Sequence, residues 1–165
     1  MGPAGATVAY QLSQAGMSVL GLEKQAYPRY MVCGGGLSVR IDQLLDSDVK
    51  DVIEHTVYSI QFTYHGQEPF FIESSGPIAY MVMRDRFDHV LVEKARWAGT
   101  EVHEDGQAVE FRQLPDGVEV VTDRARSRTK VLIGADGANS IVAQRLFQNR
   151  RLHRIPRPAA VLDGR

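Results

Sequence analysis

A glycine-bounded turn at the start of the chain, Gly2-Pro3-Ala4-Gly5, constrains the fold most, because an apolar helical segment and then an acidic residue follow it at a fixed spacing. The pattern predicts a helix over residues 6–15, closed by Gly16, and a short buried strand over 18–22. Glycines here would let the backbone approach a pyrophosphate, whose charge a helix N-terminus stabilises. Glu23 follows Gly5 by 18 residues. Since a ribose-binding carboxylate lies about 20 residues further on in dinucleotide folds, the spacing predicts such a site.

The middle of the chain predicts antiparallel strands flanked by helices. Alternating apolar and polar residues indicate a half-buried hairpin at 58–64 and 69–74 and a further strand at 78–83. Asp85 is expected to cap a helix through Ala98. The core-facing residues of that helix are predicted to be Phe87, Val90, Leu91, Ala95 and Ala98.

The remaining segments add shorter elements to this α/β pattern. Ser38 is expected to cap a short helix through Leu45, and Val102 is expected in a short strand. Three further elements are predicted: a hairpin pairing 108–113 with 118–122, a buried strand at 131–133, and a helix from near Ser140.

A second candidate site motif, Gly134-Ala135-Asp136-Gly137, follows the apolar run at 131–133. A carboxylate at the end of a buried strand, beside glycines and a helix start, can bind ligand hydroxyls. The same pattern also suits a turn in which Asp136 is an Asx-type cap. Both interpretations stay open from the residues alone.

Composition excludes several classes of function. The chain has 165 residues, enough for one domain, and a formal net charge of -1, so no nucleic-acid partner is expected. The single cysteine, Cys33, excludes an internal disulfide and fits a reducing compartment. No apolar run reaches the roughly 20 residues of a spanning helix. We therefore expect a cytoplasmic protein, with peripheral membrane contact also compatible. The five histidines lack metal-ligand spacing, so no metal site is predicted.

Both glycine motifs, with Arg84-Asp85-Arg86-Phe87-Asp88 between them, resemble the flavoprotein class of aromatic hydroxylases and geranylgeranyl reductases. The loop at 28–38, which contains Cys33-Gly34-Gly35-Gly36, is similar to the geranylgeranyl reductase branch in particular. The resemblance extends to about Leu146. It implies an α/β fold: a glutathione-reductase-like FAD-binding domain of Rossmann type with an antiparallel β insertion at about 57–83.

The resemblance also implies where FAD is bound. The turn residues would approach the pyrophosphate, Glu23 would bind the adenosine ribose, and Arg84 would reach the phosphate or ribityl region. Asp136 would lie near the pyrophosphate. Cys33 would line the isoalloxazine and is also the candidate catalytic residue, although a single cysteine is more commonly a small buried side chain. The remaining cofactor-binding residues implied are Gly2, Ala4 and Gly5 at the pyrophosphate, and Gly34, Gly35 and Gly36 beside the isoalloxazine.

Departures from the family pattern predict an incomplete domain. The family glycine two places before Gly2, the strand before it and a later glycine-aspartate motif are not in the sequence, and Ala143 stands where the family usually has arginine. We expect a partial FAD-binding domain at 1–148 with its first strand missing, and weak FAD binding by this polypeptide alone. Residues 149–165, whose basic cluster begins at Arg150, are expected to be a solvated tail leading to an absent substrate domain.

The implied activity is reduction of prenyl-chain double bonds. FAD would be the cofactor, NADPH or another reductant the electron donor, and a small-molecule or lipid-like prenyl compound the substrate. The alternatives are an FAD-dependent monooxygenase (hydroxylase), which uses the same FAD motifs, and a non-catalytic truncated remnant.

Overall fold

Two helices that pack against each other form the centre of the structure. The computed structural model describes residues 1–45 and 47–146. Helix α1 spans Pro3–Gln14 and helix α2 spans Arg84–Trp97, and their apolar faces meet. Burying these faces removes apolar surface from water, which is the main favourable contribution to folding. The buried core cluster consists of Ala6, Val49, Val82, Phe87, Leu91 and Val92.

Both helices end in the way their glycines predict. Gly16 has a φ of 78°, the N–H of Gly16 bonds the Ser13 carbonyl, and the N–H of Met17 bonds the Leu12 carbonyl. Gly99, with a φ of 105°, closes α2 with the same pair of bonds. This is the Schellman arrangement, whose left-handed residue glycine adopts without steric cost. The predicted stops are confirmed.

The helix starts differ from the prediction. Helix α1 begins at Pro3 rather than at residue 6, with Gly2 as its N-cap, so Gly5 lies inside the first turn and not in a preceding loop. Proline suits this position because its φ is preset for a helix and its missing N–H would have had no helical partner. In α2, Met83 is the N-cap and Asp85 lies in the first turn, so the predicted Asp85 cap is wrong.

The buried face of α2 also differs from the expected one. Phe87, Leu91 and Ala95 are buried as predicted, but Val90 and Ala98 are only partly buried. Val92 and Asp88 are buried instead. A carboxylate at Asp88 is not expected in an apolar core, and its partners explain it below.

Within the described residues, the strands form four small sheets. Strand β1, Leu20–Leu22, is parallel to β7, Glu101–His103. Strand β6, Ala79–Val82, lies between β2, Gly36–Ser38, and β3, Ile53–Val57, and is antiparallel to both. The other two sheets are the hairpin of β4, Ser59–Tyr64, with β5, Gln67–Glu73, and the antiparallel set of β8, Ala108–Leu114, β9, Gly117–Thr122, and β10, Arg126–Thr129.

The remaining helical segments are short. Two 3₁₀ helices span Val39–Gln43 and Ser47–Val52, and helix α3 spans Ile141–Leu146. The hydroxyl of Ser38 accepts a bond from the Arg40 N–H, which confirms the predicted cap. No helix within 1–45 and 47–146 is long and apolar enough to cross a membrane.

Two strand predictions are wrong in informative ways. The β4–β5 hairpin forms where expected, but it is exposed on both faces rather than half-buried. Residues 131–133 form no strand, and Val131 is 70% exposed. The polar segment Arg126–Thr129 pairs with β9 instead, because the β8–β9 hairpin offers it a free strand edge.

A fold that mixes helices with parallel and antiparallel strands is thus observed. The Rossmann-type details and the domain limits at 148 and 149 stay predictions. The proposed tail at 149–165, with Arg150, lies outside the described residues.

Candidate functional site

Three charged side chains from separate elements meet beside the start of α1. Arg29, in the loop after β1, donates from Nε to Glu23 Oε2 at 3.2 Å and from Nη2 to the Met1 carbonyl at 3.2 Å. The same Nη2 lies 3.3 Å from Asp88 Oδ2 in α2. Glu23 and Arg29 are each 7% exposed and Asp88 is 1% exposed. Such burial is stable only because each charge meets an opposite one within hydrogen-bonding distance.

Arg84 extends this group of charges to the cysteine loop, the segment Cys33-Gly34-Gly35-Gly36. Its Nε and Nη2 bond the two Asp88 oxygens at 2.8 Å and 3.1 Å, in a bidentate i,i+4 pair. The charge of the Arg84 guanidinium also acts on Cys33, an exposed thiol, and favours its ionised form. Strand β6 ends at Val82 and α2 begins at Arg84. Arg84 therefore lies beside the cysteine loop, because Gly36 at the end of that loop begins β2 and pairs with β6. Glu23, Arg29, Asp88 and Arg84 are called the buried ion cluster below.

The ionisation of two groups reflects these contacts. Burial raises the pKa of the Glu23 carboxyl, but the bond and charge of the Met1 ammonium and the charge of Arg29 outweigh it, so the pKa lies below its usual value. A backbone bond from Gly35, then a bond from Arg84, lower the pKa of the Cys33 thiol. The thiol is therefore easier to ionise than an ordinary cysteine.

The glycine turn contacts the second predicted motif. A Cβ added at Gly5 would lie 3.4 Å from the Ala135 Cβ, so the segment with Asp136 rests on the first turn of α1. Asp136 Oδ2 accepts a 2.7 Å bond from the Ile141 N–H, and the Ser140 hydroxyl accepts one from Ala143. Ser140 is therefore the N-cap of α3, and Asp136 accepts a bond from the first N–H of that helix. The predicted contact of Asp136 with FAD stays a prediction.

The cysteine loop is held by backbone contacts. Gly35 has a φ of 73°, and a Cβ added there would collide with the Val82 carbonyl. The Val82 N–H also bonds the Gly35 carbonyl at 2.9 Å. Nothing lies within 4 Å of a Cβ added at Gly34, which faces open space. Only glycine suits position 35.

The structure brings the predicted residues together around the start of α1. Glu23 bonds Met1, next to Gly2, and Ala4 and Gly5 form the first turn with free N–H groups, as in any helix start. Arg84 reaches this turn only indirectly, through Asp88 and Arg29.

Sequence reasoning missed Arg29 and Asp88 as site residues. Asp88 belongs to the Arg84–Asp88 motif, and its i,i+4 spacing from Arg84 was a usable signal. Arg29 had no such signal, because its partners are distant in the sequence.

These features fit a dinucleotide cofactor. Free N–H groups at a helix start suit phosphate, a carboxylate beside them suits ribose hydroxyls, and Arg29 Nη1 is a buried donor with no partner. In the described part of the chain, no group of three or more His, Cys, Asp or Glu residues is arranged to hold a metal ion.

Comparison with known proteins identifies the cofactor. Residues 1–163 match the family model described as FAD binding domain. Geranylgeranyl diphosphate reductase of Rhodobacter capsulatus is 30% identical over 152 residues, which cover 86% of this chain and 37% of that protein. The chain spans about a third of the length of the relatives it matches.

Solved structures agree on the fold. The Diels-Alderase PyrE3 of pyrroindomycin biosynthesis gives a TM-score of 0.73 at 25% identity, over 87% of this chain and 32% of that one. The halogenase PltM, in complex with phloroglucinol and FAD, gives 0.72 at 21% identity, over 88% and 34%. The names of these proteins describe different activities, although their folds are similar. The chain belongs to the FAD binding domain family of flavin-dependent oxidoreductases, and its cofactor is FAD.

Proposed function

We propose that the protein containing this domain reduces carbon–carbon double bonds of prenyl chains. The observation that carries the proposal is the Cys33 loop, which places an exposed thiol beside Arg84 and side-chain-free backbone at Gly34. The 30% identity to a geranylgeranyl diphosphate reductase supports it. The substrate would be a small or lipid-like prenyl compound.

The glycine turn and Glu23 bind FAD, and Cys33 supplies a proton. The turn at Gly2, Ala4 and Gly5 holds the pyrophosphate, and Glu23 holds the adenosine ribose. Gly34 has no side chain and faces open space, so the flat flavin ring and an extended prenyl chain can stack closely there. Bound FAD, reduced by NADPH or another donor, would supply the hydride that one alkene carbon needs. The other carbon needs a proton, and Cys33 is the candidate to donate it from Sγ, because the thiol is exposed and its lowered pKa makes it a stronger acid than an ordinary cysteine.

Product analysis tests this function. The FAD-loaded protein is reduced with dithionite without oxygen and incubated with geranylgeranyl diphosphate, and the products are examined by mass spectrometry. A gain of two hydrogens per reduced bond is expected. Oxygen insertion that requires air would instead support the monooxygenase alternative, and an unchanged substrate would contradict the proposal.

A matched pair of variants tests the role of Cys33. Cys33→Ala should slow the reduction about 10²-fold, the lower range for a lost general acid. Val32→Ala, exposed in the same loop, should leave the rate unchanged. Equal rates in both variants would exclude Cys33 as the proton donor.

A further inference from the structure

Arg29 joins two buried carboxylates that come from different elements. Its Nε and Nη2 form one edge of the guanidinium, which contacts Glu23 after β1 and Asp88 within α2. Arg29 itself lies in a loop, so no helix or strand fixes it. The distance between the two carboxylates is therefore set by the planar fork that both of them contact.

Asp88 contacts Arg84 as well as Arg29, so a change in the position of Arg29 also affects Arg84. Its Oδ2 is shared by Arg29 and Arg84, at 3.3 Å and 3.1 Å. The charge of Arg84 in turn acts on the Cys33 thiol. Contacts within 3.3 Å therefore join the carboxylate beside the glycine turn to Arg84 at the cysteine loop, and Arg29 is the residue that connects the two halves.

We propose that Arg29 is a positioning residue of the cofactor site, which orients the Glu23 carboxylate at the glycine turn and, through Asp88, the Arg84 guanidinium at the cysteine loop. The first half rests on the proposed contact of Glu23 with the adenosine ribose. The second half rests only on the contacts described. Lysine cannot replace Arg29, because an ammonium is a point charge without a fork that spans both carboxylates.

The first measurement separates positioning from general stability. The Arg29→Lys variant and the unchanged protein are titrated with FAD and with FMN, which lacks the adenosine, and flavin fluorescence is followed. Loss of an oriented charged hydrogen bond should weaken FAD binding about tenfold or more. FMN binding should stay unchanged. In a Glu23→Gln background, Arg29→Lys should have no further effect on FAD, because the residue it positions is already altered.

The second measurement needs no flavin. Alkylation of Cys33 by iodoacetamide is measured against pH in the unliganded protein. Arg29→Gln leaves the Asp88 charge less neutralised, so the thiol pKa should rise and alkylation near neutral pH should slow. Asp88→Asn removes that charge and should shift the profile in the opposite direction, which keeps the test valid where Arg29→Gln fails to fold.

Arg86→Gln is the matched control, since Arg86 lies in α2, as Asp88 does, and forms an exposed pair with Glu54. It should leave both measurements unchanged. Equal weakening of FAD and FMN by Arg29→Lys would overturn the first half of the proposal. A thiol profile that neither Arg29→Gln nor Asp88→Asn moves would overturn the second. Neither result depends on prenyl reduction, so failure of the proposed function would be seen separately.

Discussion

The buried ion cluster and the β4–β5 hairpin invert the usual arrangement of a folded chain. Asp88 is 1% exposed and its arginine partners are largely covered, whereas Phe70 and Phe71 of the hairpin are 57% and 62% exposed. In most domains charged groups are rarely buried and aromatic side chains often are. Here the charges lie inside and the aromatic rings outside.

The difference shows that partners, rather than residue type, decide burial. Each charge of the cluster meets an opposite charge, from another segment for Glu23 and Arg29 and from the same helix for Arg84, so its removal from water is compensated. In 1–45 and 47–146, the hairpin pairs with no strand outside itself, so no further strand of its sheet lies beside its aromatic rings. Phe62 and Phe70 stack across the strands at 5.1 Å. Variants that remove a partner in one region should therefore act differently from variants in the other.

Removing Asp88 should give the largest effect. Asp88→Ala leaves two arginines, one of them buried, without their shared carboxylate, and should lower the free energy of unfolding by about 3–5 kcal/mol. Urea unfolding measures this value. Glu54→Ala, which removes the exposed partner of Arg86, should cost less than about 1 kcal/mol. Comparable losses in both variants would mean that burial adds nothing to the Asp88 interactions.

The turn beside the cluster should show the next largest effect. Gly35→Ala forces a Cβ against the Val82 carbonyl at a φ of 73° and should cost about 1–3 kcal/mol. Gly34→Ala meets open space and should be close to neutral. Thermal unfolding of the two variants gives the comparison, and a destabilised Gly34→Ala together with a stable Gly35→Ala would contradict the loop geometry.

In the hairpin, the loss of a stacked ring should be small. Phe70→Ala removes the stack with Phe62, a contact that contributes about 0.5–1.5 kcal/mol. Phe71→Ala, on the opposite face and across from Gln61, should cost less. Urea unfolding of both variants tests the order. A loss at Phe71 as large as a core phenylalanine deletion, about 3–5 kcal/mol, would show that this face is covered.

Acid should give the smallest effect, visible only at low pH. The folded-state pKa of Glu23 lies below its usual value of 4.5. The stability that its ion pairs contribute is therefore fully present above about pH 4.5. It is lost as the pH falls through the lower pKa that Glu23 has in the folded protein. Glu23→Gln should flatten the dependence of unfolding free energy on pH in that range. Glu68→Gln, in the exposed hairpin, should leave the slope as it is.

Local patterns in the sequence predicted most of the elements. Gly16 and Gly99 marked both helix ends, and the alternation around Ile60 and Phe62 marked the hairpin. These local patterns gave wrong predictions where the structure of a segment depended on a partner elsewhere in the chain. The apolar run at 131–133 looked like a buried strand but pairs with nothing in the described part of the chain, while the polar segment Arg126–Thr129 found an edge at β9.

The candidate site divides in the same way. The sequence by itself determined the glycine turn, the position of Glu23 after it and the rigid backbone at Gly35, because each follows from local spacing or from the conformational freedom of glycine. Only the tertiary structure decided that Arg29 lies between Glu23 and Asp88 and that Asp88 is buried. These placements depend on which segments meet in space, since a charge can enter the core only where another segment supplies its counterion.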